Sequence, residues 1–111
     1  MVQYSQLNAG FRALSDPVRR GVLERLGQGD ASISDLADSF GMSLTGINKH
    51  VQVLDAAGLV TTLKVGRVRL CRLGPNKLED QAMWIGNYRQ MLEGRFDRLD
   101  AFLERTKGDQ P

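Results

Sequence analysis

Ser43-Leu44-Thr45-Gly46-Ile47-Asn48-Lys49-His50-Val51-Gln52-Val53-Leu54 is the stretch that decides the fold. Ile47, Val51 and Leu54 recur at i, i+4 and i+7, the spacing of one apolar helix face turned toward a core. Thr45, Asn48, Lys49 and Gln52 fall on other faces, and are polar or cationic groups that can reach base edges and phosphates. Ser43 suits the N-cap, its hydroxyl accepting from a backbone N–H of the first turn. Taken alone, the stretch reads equally well as a surface helix with a solvated polar face. Its neighbours separate the two readings.

Immediately upstream, Ser32 to Phe40 reads as a short helix with Ile33, Leu36, Ala37 and Phe40 on one face. Only Gly41 and Met42 stand between it and Ser43. Two short helices joined by a tight glycine-containing turn make a helix-turn-helix, here over about 33–56, whose second helix enters a major groove. Downstream, Ala56-Ala57-Gly58 closes the helix, and Leu59 to Val65 is rich in β-branched residues. Gly66 breaks that run, and Arg67 to Leu73 alternates charged and apolar residues as a return strand. The expected product is a β-hairpin over about 59–73 with Lys64, Arg67 and Arg69 near its tip. Beside a helix-turn-helix such a hairpin is a wing, whose cations lie along phosphates or enter a minor groove. The competing reading is an edge hairpin that uses charge against aggregation.

Further out, Leu7, Phe11 and Leu14 mark a first helix over 3–14. A second begins at Asp16-Pro17, an N-cap followed by proline at N1, and buries Val18, Val22, Leu23 and Leu26. Gly27 to Asp30 should end it, with two glycines free to take positive φ. Arg19 and Arg20 are open to phosphate or to salt bridges and surface. After the break at Gly74-Pro75, one long helix is expected over about 76–107. Leu78, Ala82, Ile85, Tyr88 or Arg89, Leu92, Phe96, Leu99 and Leu103 step by three and four along it. Met83, Trp84, Met91 and Phe102 widen that stripe. About 30 residues would span roughly 45 Å, longer than a core of this size, and a second copy of the chain is the economical cover. Packing within one chain is the alternative.

The 111 residues are thus expected to form one winged-helix domain, mainly α with a small β-hairpin in the order α-α-α-α-β-β-α. Net charge is +2, but residues 43–75 carry Lys49, Lys64, Arg67, Arg69 and Arg72 against Asp55 alone, net +4. A cationic block of that kind points to a polyanion. No apolar run reaches the ~18–20 residues of a membrane span, and the N-terminus lacks the pattern of a secretory signal. The single cysteine excludes an internal disulfide and fits a reducing, cytoplasmic setting.

Ala13-Leu14-Ser15-Asp16-Pro17-Val18-Arg19-Arg20, the Leu36-Ala37 helix, Ser43 to Leu54 with Lys49-His50, Ala57-Gly58-Leu59-Val60 and Gly66-Arg67 together resemble bacterial ArsR-type winged-helix transcriptional regulators. The resemblance covers roughly residues 7–105. It implies a homodimer pairing through the first and last helices, here Leu7, Phe11, Met83, Trp84, Tyr88, Met91, Leu92, Phe96 and Leu99. It also implies a repressor, often of its own promoter, on an inverted-repeat operator in double-stranded DNA. Trp84, Tyr88-Arg89 and Arg95-Phe96 through Leu103 are similar to a branch of the family without the usual metal ligands. Family metal sensors commonly carry a Cys-x-Cys pair in the third helix; Ile33 to Asp38 contains none. A second site type uses Asp and His on the last helix, which here has no histidine. A metal-independent regulator without cofactor is expected, on that resemblance and on a ligand count, since one chain offers only Cys71 and His50 as Cys or His ligands. Leu44 replaces the usual first polar residue of the recognition helix, and either meets a thymine methyl or packs inward.

No glycine-rich phosphate loop, nucleophile elbow or paired catalytic set is present, so no enzyme is expected. His50, the single histidine, reads as a packing or phosphate-contact residue. Cys71 reads as a small, partly buried hydrophobe, with a thiol-redox response of the repressor as the alternative. The expected DNA-binding set is Ser43, Leu44, Thr45, Asn48, Lys49, His50, Gln52, Lys64, Arg67 and Arg69. A protein-interaction winged helix remains as the other reading, though it would not need four cations on one side. A small-molecule effector, if any, would sit in the dimer interface near Trp84 and Tyr88.

Overall fold

Two glycines in the left-handed region set the geometry of the helix-turn-helix. In the computed structural model, which describes the backbone of residues 2–108 and the side chains of residues 5–95 and 97–105, α3 (Ile33–Ser39) ends on Gly41 at φ 61°. The Met42 N–H returns to the Ala37 carbonyl at 2.9 Å and the Gly41 N–H to Asp38 at 3.3 Å. That pair of bonds is the Schellman arrangement. It turns the chain within two residues, and Ser43 then caps α4 (Leu44–Ala56), its Oγ accepting from Gly46 N–H at 3.0 Å. The same motif closes α4, with Gly58 at φ 74°, Gly58 N–H on Asp55 O and Leu59 N–H on Leu54 O, both 2.9 Å. Leu54 and Leu59, the two side chains this motif brings together, are both buried.

Before these come α1 (Val2–Leu14) and α2 (Pro17–Leu26). Asp16 caps α2 from Oδ1, accepting from Val18 N–H at 2.8 Å and Arg19 N–H at 3.2 Å, with Pro17 at N1. Its carboxyl is drawn two ways. Desolvation raises its pKa, but the backbone N–H groups of Arg19 and Val18 and the charges of His50 and Arg19 outweigh that and hold it below the ordinary value. Of the glycines after α2 only Gly29 takes positive φ (146°); Gly27 stays helical at φ −63° as the C-cap, a correction to the expected pair.

The sheet has one more strand than the sequence suggested. β1 (Ala31–Ser32) pairs with β3 (Val68–Leu73), which pairs with β2 (Val60–Val65), all antiparallel in the order β1-β3-β2. A two-residue strand carries no periodicity, and only its long-range partners Cys71 and Leu70 create it. Ser32 is therefore strand residue and N-cap together, its Oγ accepting from Asp35 N–H at 3.0 Å. Val65 and Val68 close the wing across Gly66-Arg67, with Gly66 at φ 64°. Glycine at the first central position of a two-residue hairpin loop suits a type II′ turn.

One core, drawn from residues between Ala13 and Leu78, lies within the first compact unit, which ends at Glu79. Leu36, Ile47, Leu54, Val22, Val51, Val60 and Cys71 are fully buried in it, so α2, α3, α4 and both wing strands meet there. Each aliphatic side chain so enclosed contributes about 1.5–3 kcal/mol of transfer free energy. The winged helix-turn-helix expected from the sequence is the observed fold.

The described residues from Asp80 onward form a second compact unit. Its helix α5 (Glu79–Gly108) starts three residues later than expected. The delay has a physical cause: Asn76 Oδ1 accepts from Leu78 N–H at 2.7 Å, and Leu78 sits at φ 62°, outside helical geometry. Asn76 also donates from Nδ2 to Ala57 O at 2.7 Å, tying this elbow to the end of α4. Within α5, Trp84, Tyr88, Met91, Leu99 and Phe102 follow i, i+4, i+7, i+15 and i+18 and are exposed, with Trp84 stacked on Tyr88 at 5.5 Å and 8°. Met83 is exposed and Leu92 half-buried, Leu7 and Phe11 on α1 are half-buried, and the Phe96 side chain lies outside the described residues. No helix among the described residues is long and apolar enough to cross a membrane.

Candidate nucleic-acid interface

α4 presents three different sides. Successive residues turn by about 100°, so buried Ile47, Val51 and Leu54 leave Thr45, Lys49 and Gln52 opposite them, all exposed or half-exposed at the surface. Leu44 and Asn48 flank this row on the side of the wing. They line an open depression of about 530 Å³ together with the polar Thr45, Ser32 and Ser34, the apolar Ile33 and Val68, and the cations Arg67 and Arg69. Leu44 is 57% exposed, so of the two expectations for it, inward packing is excluded.

His50 flanks the row on the other side and is half-buried. Arg19 Nη1 donates to its Nδ1 at 3.2 Å, while Asp16 Oδ1 stands 4.0 Å from the same nitrogen. The shorter contact carries the interaction, since 4.0 Å exceeds hydrogen-bond length. Arg19 also donates from Nε to Ala13 O and from Nη2 to Arg12 O, both 2.9 Å. One guanidinium thus satisfies open carbonyls at the end of α1 and holds α4 through His50. Arg20 donates to Leu14 O at 2.6 Å in the same region. Both arginines left open between phosphate and surface roles have intramolecular partners.

The wing cations differ from these. Lys64 pairs directly with Arg69 across the hairpin. By strand alternation they lie on the side of Cys71 and Val60, the buried side, continued past the edge of the core toward the tip. Arg67 is at the turn. Among the described residues Lys49, Lys64, Arg67 and Arg69 make no salt bridge. Arg72 does, with Asp30 at 3.0 Å, and so separates from the cationic block it belongs to in sequence. Four unpaired cations on α4 and the wing, two of them opposed in register, give the site a positive potential.

Cys71 lies in β3, fully buried. Burial pushes its thiol pKa up, Arg69 opposes that and Asp55 adds to it. No three His, Cys, Asp or Glu side chains among the described residues converge as a metal site would need. Sequence reasoning missed Ser32 and Ser34 as walls of the depression and Arg19 and Asn76 as the groups that seat α4. No local pattern marks these roles: Arg19 and Asn76 reach α4 across 31 and 19 residues, and the depression walled by Ser32 and Ser34 is completed by Arg67 and Arg69 of the wing.

A helix presenting polar side chains beside a cationic wing defines the class of winged helix-turn-helix regulators. The helix-turn-helix domain family matches residues 14–62 of the chain. The transcriptional repressor SdpR of Bacillus subtilis is 32% identical over 82 residues, 74% of this chain and 91% of SdpR. An ArsR-like transcriptional regulator from Rhodococcus superposes with a TM-score of 0.75 at 32% identity, covering 92% of this chain and 96% of that one. A homodimeric winged helix-turn-helix DNA-binding domain from Mycobacterium bovis, described as a possible ArsR-family regulator, superposes at 0.59 with 25% identity, covering 82% and 79%. The chain belongs to the ArsR family of winged helix-turn-helix transcriptional regulators.

Proposed function

We propose that residues 1–111 act as one protomer of a homodimeric, cytoplasmic, metal-independent repressor that binds an inverted-repeat operator, its own promoter included. The observation that carries this is the set of unpaired cations Lys49, Lys64, Arg67 and Arg69 around the polar row of α4. Thr45, Asn48 and Gln52 read base edges, with Ser43 and Leu44 at the entry of the helix, while the four cations neutralise phosphates. His50 belongs to the set as a positioning residue, through Arg19. An enzymatic or purely protein-binding role finds no comparable feature.

The second copy packs on α5. Its exposed stripe of Trp84, Tyr88, Met91, Leu99 and Phe102 would be costly in water, and the M. bovis relative is described as homodimeric. Leu7, Phe11, Met83, Leu92 and Phe96 complete the proposed interface. Two-fold symmetry then sets the two α4 helices about one DNA turn apart, roughly 34–36 Å. The experiment is a titration of the protein onto duplexes from its own upstream region, with a scrambled duplex as control and chelator present. Saturable binding to one duplex and not to its scramble supports the reading. Equal binding to both, or a requirement for added metal, contradicts it.

A further inference from the structure

One residue of the α4 surface does not belong with the rest. Leu44, the first residue of the helix, is 57% exposed beside Thr45, Asn48, Lys49 and Gln52, all polar or charged. An exposed leucine alone is ordinary. This one is set apart by two facts. It takes no part in the buried cluster of the first unit, so core packing gives no reason for an apolar side chain there. It also lines, with the apolar Ile33 and Val68, the depression that Asn48 shares with two wing cations, Arg67 and Arg69.

Whatever covers Leu44 must therefore be apolar at one point and anionic around it. Duplex DNA offers that combination. Its phosphates match Arg67, Arg69, Lys64 and Lys49, and on the major-groove edges the apolar group is the C5 methyl of thymine. Asn48, one helical turn on from Leu44, is placed for the hydrogen-bonding edge of a neighbouring base. We propose that Leu44 is a specificity-determining residue that selects a thymine, through its C5 methyl, in each operator half-site. The inference rests on the reading of α4 as the recognition helix.

The test uses the full chain and duplexes selected by it from a randomised library. Each thymine of the selected site is replaced in turn by deoxyuridine, which removes the methyl and leaves the pairing unchanged. The expected result is one position per half-site where the loss weakens binding about three- to tenfold. Leu44→Ala should weaken binding to the unmodified site by a similar factor and bind the thymine and deoxyuridine duplexes equally, with unchanged thermal unfolding. Leu44→Met, which keeps an apolar group of similar reach, should retain the preference. The deoxyuridine scan on the unaltered chain needs no variant. A scan with no sensitive position overturns the proposal, as does a sensitivity that persists undiminished in Leu44→Ala. In either case a selected sequence still stands for α4 as the reading helix. Selection that returns no common sequence overturns both.

Discussion

Lys64 and Arg69 face each other across the wing in register, two cations on one side of a two-stranded ribbon. Like charges directly opposite are destabilising, by the same few tenths to about 1 kcal/mol that opposite charges contribute. A wing kept in this state is more stable when a polyanion lies across it. Lys64→Glu should raise the unfolding free energy by about 0.2–1 kcal/mol in a urea titration. The same change should weaken DNA binding and reduce the steepness of its salt dependence, by about 0.9 for each phosphate no longer neutralised. A variant both more stable and tighter on DNA would show that the pair has no part in binding.

The elbow after the wing is held by backbone. A Cβ on Gly74 would lie well inside contact distance of the Gly58 carbonyl oxygen, and Gly74 N–H donates to Leu59 O at 2.8 Å. Gly74→Ala should therefore cost about 1–3 kcal/mol. Gly86→Ala, where an added Cβ meets nothing within 4 Å, should be neutral or stabilise α5 by up to about 1 kcal/mol. Urea midpoints for the two variants check the contrast.

Acid sensitivity should begin at the α2 cap. The Asp16 carboxyl is held below its ordinary value of 3.8 by the Arg19 and Val18 N–H groups and by the charges of His50 and Arg19, against a desolvation that raises it. A depressed carboxyl adds stability above its unfolded value and loses it as pH falls through the folded one. Asp16→Asn keeps a good cap and removes the charge. The stability difference between the two proteins should be present at neutral pH, begin to shrink only as pH falls toward 3.8, and vanish below the lower, folded value. Thermal unfolding across that range measures it.

Cys71 should be a silent thiol. It is fully buried and its pKa is raised by that burial, so thiolate is scarce at neutral pH. Labelling by an aromatic disulfide reagent should proceed only as fast as the protein opens, and oxidant should leave DNA affinity unchanged. Rapid labelling of the folded protein would revive the redox alternative.

The α5 stripe gives a spectroscopic test of dimerisation, because Trp84 is the single tryptophan. Met91→Glu should yield a monomer in sedimentation, with Trp84 emission shifted to the red relative to the parent protein. A parent that sediments as a monomer at micromolar concentration would contradict the arrangement.

Most of this was legible in the residues because it is local. Ile47, Val51 and Leu54 announce α4 by spacing, Ser43 and Asp16 announce caps, and Gly41, Gly58 and Gly66 stand where positive φ is needed. What stayed hidden was long-range. β1 exists only because Cys71 and Leu70 lie opposite Ala31 and Ser32. The start of α5 moves to Glu79 because Asn76 bonds both Leu78 and Ala57. The side of α4 taken by His50 is fixed by Arg19, 31 positions earlier. The cations of the wing were visible as a charge block, but only the register shows that Arg72 leaves it for Asp30 and that Lys64 opposes Arg69.

In the proposed complex α4 reads sequence while the wing supplies affinity, and one comparison tests that division most directly. Asn48→Ala and Arg67→Ala are each titrated, over a range of salt, onto a selected operator and onto random duplex. Asn48→Ala should cost about 1–3 kcal/mol on the operator, little on random DNA, and leave the salt slope unchanged. Arg67→Ala should weaken both duplexes and flatten the slope by about one unit. Equal loss on operator and random DNA for Asn48→Ala would contradict the account.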